Sequence, residues 1–137
     1  MGRIQARLAA FESKSGLVIP ADLAEHFRLL EKGKREVWKD MYQFYSFDAF
    51  KSIPTGVALF RGIPDYRGIV NTLAGSGNCF GFADWMIMSF EYAIRLYREP
   101  TAINEVYVIY KDEFKQIADS FTGFLELLER DAEELLF

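Results

Sequence analysis

Apolar side chains recur at helical spacing in the first 33 residues of the chain. Two sets of three repeat at i, i+4 and i+7, a spacing that places side chains on one face of an α-helix. The first set is Ile4, Leu8 and Phe11, and the second is Leu23, Phe27 and Leu30. We therefore predict helices over residues 3–13 and 20–33. Gly16 ends the first helix, Pro20 begins the second, and Gly33 ends it.

Aromatic residues replace the helical spacing after residue 37. Residues 41–47 form an aromatic run typical of a strand, and residues 57–60 are predicted as a second, shorter strand. A helical turn is expected between them, over residues 48–52. Pro64 indicates the start of a helix that continues to about residue 73, and the small residues 74–78 then form a loop.

The longest apolar stretch lies in the second half of the chain. Residues 82–90 are apolar almost without a break and residues 92–97 continue the run, which predicts central strands buried on both faces. Residues 105–110 are predicted as a further strand, and Ser120 is suited to cap a final helix. The apolar stripe of that helix is Phe121, Phe124, Leu125 and Leu128. This order of elements predicts one α+β domain over residues 1–137, with N-terminal helices, a mostly antiparallel central sheet and a C-terminal helix.

Composition indicates a folded domain that needs no cross-link. Half of the 137 residues are hydrophobic and 13 are Phe, which is enough apolar surface for a core or an apolar interface. The single cysteine, Cys79, excludes an internal disulfide. The sequence contains neither a secretory signal nor a run of about 18 apolar residues, so we expect a cytoplasmic protein with no membrane partner.

Charge is distributed unevenly around a net value of −4. Residues 112–137 carry eight acidic and two basic side chains, whereas residues 1–40 carry six acidic and eight basic ones. This balance argues against direct nucleic-acid binding, which depends on basic surface. It is compatible with a basic protein partner, although a solvated helix face explains the acidic segment more simply.

Residues capable of chemistry are few and scattered. His26, the only histidine, is expected on the surface, and Cys79 is expected to be a small buried thiol. The glycine-rich residues 75–81 precede a predicted strand instead of opening a helix, so we interpret them as a turn and not as a phosphate-binding loop. We therefore expect no catalytic residue, no metal and no cofactor. The acids within the strand block are Asp84 and Glu91, and Asp84 is expected to bond backbone N–H groups.

Three stretches of the sequence together match a known family pattern. They are Phe11-Glu12 with Gly16-Leu17-Val18-Ile19-Pro20-Ala21-Asp22, then residues 80–94 (FGFADWMIMSFEYAI), then Ile117-Ala118-Asp119-Ser120-Phe121-Thr122-Gly123-Phe124-Leu125. With Phe44-Tyr45-Ser46 they cover nearly the whole chain in order. They resemble the SUKH superfamily of fungal cell-wall-assembly regulators and bacterial immunity proteins of polymorphic toxin systems. Residues 55–78 depart from the pattern, and Gly123 stands where a polar residue is more usual.

The resemblance implies an α+β domain that acts by binding and has no shared catalytic residues. Its bacterial members usually neutralise a cognate toxin, often a nuclease. We therefore expect an immunity protein whose partner is a toxin, with a basic nuclease domain as one candidate. A regulatory scaffold without a toxin partner is the alternative. A small-ligand or enzymatic domain with a pocket near Asp84 and Glu91 is the third hypothesis.

Partner contacts are expected where the family pattern lapses, because loops on a rigid scaffold carry recognition. Within residues 64–78 the candidates are Asp65, Tyr66 and Arg67. Arg95 is a further candidate because it interrupts an apolar strand. The aromatic stretch over residues 80–97 is interpreted as the buried sheet and not as the contact surface.

Overall fold

The computed structural model describes residues 3–60 and 64–137. Within them, five α-helices pack on the two faces of a seven-stranded antiparallel sheet, so the fold is α+β as predicted. The helices are α1 (Arg3–Ser15), α2 (Ala21–Glu31), α3 (Ile53–Leu59), α4 (Ile69–Thr72) and α5 (Phe121–Glu129). The strands are β1 (Trp38–Lys39), β2 (Tyr42–Phe44), β3 (Lys51–Ser52), β4 (Cys79–Trp85), β5 (Phe90–Arg95), β6 (Val106–Tyr110) and β7 (Glu113–Ala118). No helix in the described part of the chain is both long and apolar enough to cross a membrane.

Strands β4 and β5 lie in the middle of the sheet. Its order is β1-β2-β4-β5-β6-β7, with β3 also paired to β4, and every pair is antiparallel. The apolar residues 82–90 and 92–97 form a hairpin whose turn comes earlier than predicted, because β4 ends at Trp85 and β5 begins at Phe90. The pattern does not reveal the turn, since residues 86–89 contain no Gly, Pro, Asn or Asp.

Helices α1, α2 and α5 cover one face of the sheet. Side chains alternate between faces along a strand, so Phe80 and Phe82 of β4 and Tyr92 and Ile94 of β5 all reach this face. Phe124 of α5 packs edge-on against Phe82, with 4.9 Å between the ring centroids. Burial of each such side chain contributes roughly 2 kcal/mol to folding. This face holds the main core.

The shorter helices α3 and α4 cover the opposite face. Ile53 and Ile69 pack there with Ala93 of β5 in a second, smaller core. The same face carries the two acids of the strand block, Asp84 and Glu91, which stand directly opposite each other in the β4–β5 register. Asp84 is 4% exposed on this face, and Glu91 is partly exposed.

Two further predictions about the elements are corrected, and one strand was not predicted. Residues 57–59 belong to helix α3 and Phe60 is its C-cap, so they form no strand. Ser52 caps the helix by accepting a hydrogen bond from the Thr55 N–H, and a proline occupies its first turn. The helix expected over residues 64–73 is reduced to α4. Strand β7 has mostly exposed side chains, so no apolar alternation in the sequence indicates it.

His26 is buried and does not lie on the surface as predicted. Its ring packs against Phe44 and Phe121, each at 4.6 Å between ring centroids, because these aromatics close the main core around it. Burial, and then the charge of Arg35, lower the pKa of His26 to about 3, so the ring is neutral. Arg35 donates a hydrogen bond to Nδ1 at 2.8 Å. Cys79 is buried as predicted, but in the second core on the other face.

Candidate functional site

Three hairpin turns lie side by side at one end of the sheet, and we call this end the turn surface. It consists of residues 40–41 between β1 and β2, residues 86–89 between β4 and β5, and residues 111–112 between β6 and β7. Met86 N donates a hydrogen bond to Met41 O at 3.0 Å, which joins the first turn to the second. The turn surface therefore belongs to several strands of the sheet and not to one loop.

The central turn is left-handed at three successive residues. Met86, Ile87 and Met88 have φ values of 47°, 50° and 67°. Residues other than glycine avoid this region at a cost of roughly 1–2 kcal/mol each, and a β-branched residue is a pronounced outlier there. Asp40 and Lys111 in the flanking turns also have positive φ. Backbone strain concentrated in one turn makes this turn a candidate functional surface.

The strained turn exposes apolar side chains to solvent. Ile87 is 79% exposed and the adjacent Met86 is exposed, as are Met41 in the first turn and Trp38 in β1. Apolar side chains grouped on a protein surface are typical of sites of protein–protein contact. Methionine is well suited to such a site because its flexible, polarisable side chain adapts to the shape of a partner.

Hydrogen bonds from other elements hold the turn in its strained form. Tyr66 Oη donates to Met88 O at 2.7 Å and to Ser89 O at 3.0 Å. Ser89 N donates to Trp85 O at 3.0 Å, which closes the left-handed turn. Tyr45 Oη approaches Met88 Sδ at 3.0 Å. The turn is therefore ordered before any partner arrives, which lowers the entropy cost of binding.

Negative charge borders the turn surface. Burial raises the pKa of Tyr42, and the nearby charges of Asp131 and Asp40 raise it further. Neither aspartate accepts a hydrogen bond from any residue that the structure describes. The neighbouring lysines are engaged, since Lys39 donates to a backbone carbonyl of α5 and Lys111 lies over a tyrosine ring. Two acids without a hydrogen-bond partner among the described residues and two engaged lysines therefore lie near the apolar turn.

A cleft of about 240 Å³ opens next to the turn, between β4–β5 and helix α3. We call it the acid cleft because Glu91 lines it. Ile53, Leu59, Phe60 and Met88 supply apolar walls. Lys51 and Tyr45 also line it. The two features share Met88, so the acid cleft and the turn surface are continuous.

The Glu91 carboxyl group lies over Gly81 of strand β4 within this cleft. Gly81 makes room for it, since a Cβ at that position would stand 3.0 Å from Glu91 Oε2. Tyr45 Oη donates a hydrogen bond to Glu91 Oε2 at 3.1 Å. Burial raises the pKa of Glu91 to about 7, and the neighbouring charge of Asp84 adds to the rise while the Tyr45 hydrogen bond opposes it. A carboxyl with this pKa is poised between its charged and neutral forms near neutral pH.

Asp84 lies deeper than Glu91 and is only 4% exposed. Burial raises its pKa, and the nearby Tyr45 hydroxyl and Met88 backbone N–H oppose the rise. That Asp84 bonds backbone N–H groups stays a prediction. Its Oδ1, however, is buried without a hydrogen-bond partner within residues 3–60 and 64–137. An unpartnered buried carboxylate oxygen is costly and therefore needs an explanation.

The four residues predicted to contact a partner do not form one site. Tyr66 is 2% exposed, so it supports the turn from beneath and does not present its side chain to a partner as expected. Asp65 and Arg67 are exposed and paired with each other at 2.9 Å, and their role as contacts remains a prediction. Arg95 lies at the far end of β5, where it donates hydrogen bonds to Ala74 O and to the next carbonyl along the chain.

The sequence pattern misses the turn surface because no local signal marks it. One global signal is present: the apolar run over residues 82–97 is longer than the three to ten residues usual for a strand. Such a run requires a turn, and an exposed turn built from its members would carry apolar side chains. Length could therefore have located the site.

Comparison with known proteins identifies no relative. No family model matches the chain, and neither a curated protein nor a solved structure matches it. The resemblance to the SUKH superfamily therefore rests on the sequence motifs and stays a prediction.

Proposed function

We propose that this chain is a non-enzymatic, cytoplasmic protein-binding module that neutralises a cognate toxin by binding it. The observation that carries the proposal is the exposed, strained turn at Met86, Ile87 and Met88. The link to a toxin rests on the SUKH-like motifs of the sequence.

The turn supports a binding role because its most exposed side chain, Ile87, gains no burial in the monomer. An exposed isoleucine in left-handed backbone costs roughly 1–2 kcal/mol and buries no apolar surface in return. A partner that covers Ile87 would recover the apolar surface at no further cost in backbone order. The net charge of −4 would favour the approach of a basic partner.

Co-expression with the toxin encoded beside its gene tests this proposal. The wild-type chain is expected to protect the cells and to co-purify with the toxin. Ile87→Asp should weaken the complex by more than about 30-fold, because it places a charge at the centre of the apolar contact. Aspartate tolerates left-handed backbone better than isoleucine does, so this variant is expected to fold.

Ile103→Asp is the matched control. Ile103 is also an exposed isoleucine, but it lies in the loop between β5 and β6 at the opposite end of the sheet. This variant should bind as tightly as the wild type. Equal loss of affinity in both variants, or no binding by the wild type, would contradict the proposal. A neighbouring gene that encodes no toxin would favour the regulatory scaffold instead.

The acid cleft favours a second candidate function, the binding of a small ligand. Glu91 opens onto a cleft of about 240 Å³ with apolar walls, so the pocket hypothesised near Asp84 and Glu91 retains a physical basis. Thermal stabilisation of the purified chain by a small metabolite, lost in Glu91→Gln, would support this candidate. Stabilisation by the toxin alone would favour the protein-binding module.

A further inference from the structure

We propose that Met41 and Met86 form a redox-sensitive modification site on the turn surface, where oxidation to methionine sulfoxide releases the partner. The oxidant is a peroxide, and the reaction is confined to the two exposed thioethers. The release step rests on the proposed function, whereas the modification site rests on the exposure and grouping of the side chains.

Methionine is concentrated at the turn surface. Three of the four methionines in the chain, Met41, Met86 and Met88, lie in its first and central turns. Tyr42 pairs with Trp85 across β2 and β4, so Met41 and Met86 are the next residues along the two strands. The Met86 N–H donates a hydrogen bond to the Met41 carbonyl at 3.0 Å, which holds the two residues next to each other. A partner on this surface would therefore cover both of them.

Solvent reaches two of these methionines more readily than the third. Met41 is 46% exposed and Met86 is 42% exposed. Met88 is half-buried because it packs against the second core, and its Sδ lies 3.0 Å from the Tyr45 hydroxyl. A peroxide must reach the sulfur lone pair, so we expect Met41 and Met86 to be oxidised before Met88.

The single thiol of the chain does not compete for the oxidant. Cys79 is fully buried and packs in the second core. Burial raises the pKa of its thiol to about 11, so the reactive thiolate is scarce at neutral pH. Peroxide that reaches the folded chain therefore meets exposed thioethers and no accessible thiolate.

The oxidation transfers an oxygen atom to sulfur. The thioether sulfur attacks an oxygen of hydrogen peroxide, the O–O bond breaks, and water leaves as the S–O bond forms. Sulfur loses two electrons and the peroxide gains them. The product is a polar sulfoxide in place of an apolar side chain, so a partner surface fitted to Met41 and Met86 would bury an oxygen without a hydrogen bond. Methionine sulfoxide reductases reverse the change with a dithiol as reductant, which makes it suitable for a switch.

Peptide mapping of the full chain after brief exposure to hydrogen peroxide tests the modification site. Mass spectrometry should find sulfoxide at Met41 and at Met86 at least about threefold faster than at Met88, with Cys79 unmodified. The urea midpoint of the oxidised chain should equal that of the untreated chain, because both side chains lie on the surface. A smaller ratio at either residue, oxidation of Cys79 or a lowered midpoint would overturn the site.

Affinity for the toxin tests the release step. The chain is oxidised alone, freed of peroxide and then mixed with the toxin encoded beside its gene. Oxidation should weaken binding about tenfold or more, and treatment with methionine sulfoxide reductases and a dithiol should restore it. Peroxide should leave the affinity of the double variant Met41→Leu, Met86→Leu at its own starting value, whereas Met88→Leu should show the same loss as the wild type. A loss that persists in the double variant, or no loss in the wild type, contradicts the release step.

Failure of the release step and failure of the proposed function give different results. If the oxidised and untreated chains bind and neutralise the toxin equally, the switch is wrong and the binding function stands. If the untreated chain does not bind the toxin, the proposed function fails and the release step fails with it, while peptide mapping still decides the modification site.

Discussion

Replacement of Glu91 by glutamine should make the protein more stable at neutral and alkaline pH. The folded chain raises the pKa of Glu91 from 4.5 to about 7, first through burial. The folded state therefore binds more protons than the unfolded state between these pH values, and the wild type loses stability as the pH rises through that window. Glutamine keeps an acceptor for the Tyr45 hydroxyl but carries no charge to desolvate.

The size of this effect follows from the rise in pKa. A change from 4.5 to about 7 corresponds to a ceiling of about 3 kcal/mol. Glu91 is partly exposed in the cleft, and solvent screening reduces the expected gain to about 2 kcal/mol. The stability difference between Glu91→Gln and wild type should be small at pH 4.5, rise toward pH 7 and stay constant above it.

Urea unfolding followed by tryptophan fluorescence at five pH values from 4.5 to 8.5 measures this difference. Glu113→Gln, which removes an exposed acid from strand β7, is the matched control for the loss of one negative charge. Its stability difference should stay within about 0.5 kcal/mol of zero. A difference for Glu91→Gln that is independent of pH, or that decreases as the pH rises, would refute the desolvation of this carboxyl.

Four further variants test separate parts of the structure. The folded wild type holds the pKa of His26 at about 3, so its free energy of unfolding should fall as the pH drops below 6.5, by up to about 3 kcal/mol at pH 4. His26→Phe should remove this loss, and acid unfolding curves of the two proteins measure it. Tyr66→Phe should lower the free energy of unfolding by about 1–2 kcal/mol and accelerate amide exchange over residues 86–89, since both carbonyl contacts are lost. Ile87→Gly should raise the free energy of unfolding by about 1 kcal/mol by releasing left-handed strain, and a destabilised variant would contradict this. Arg95→Met should lower stability by about 1 kcal/mol and leave partner affinity unchanged, as measured by urea unfolding and calorimetry.

Much of the fold was predictable because its signals are local. Helices α1, α2 and α5 follow from apolar periodicity, and Ser120 caps α5 as predicted by accepting a hydrogen bond from Gly123 N at 2.9 Å. The central position of the apolar strands follows from burial on both faces. These signals depend on neighbours within a few residues, so the sequence alone carries them.

The candidate site was hard to predict because its residues depend on distant contacts. The apolar character of Met86, Ile87 and Met88 predicts a strand. In the structure their backbone is left-handed, and Tyr66 from a separate segment holds it there through a hydrogen bond to the Met88 carbonyl. His26 was misplaced for the same reason, since aromatics from β2 and α5 bury a position that lies off the apolar stripe of its own helix. Apolar periodicity shows which side chains share a face of one helix or strand, but it does not show which of them another element buries.

The turn surface and the acid cleft are coupled through shared residues, and this explains why strain can persist there. Met88 belongs to the turn and lines the cleft, and its carbonyl accepts the hydrogen bond from Tyr66. Burial raises the pKa of the Tyr66 hydroxyl, and the charges of Glu91 and Asp84 raise it further. A partner that covers Ile87 would therefore bury apolar surface over backbone that Tyr66 already holds in place, so the complex would not have to offset the cost of ordering the turn.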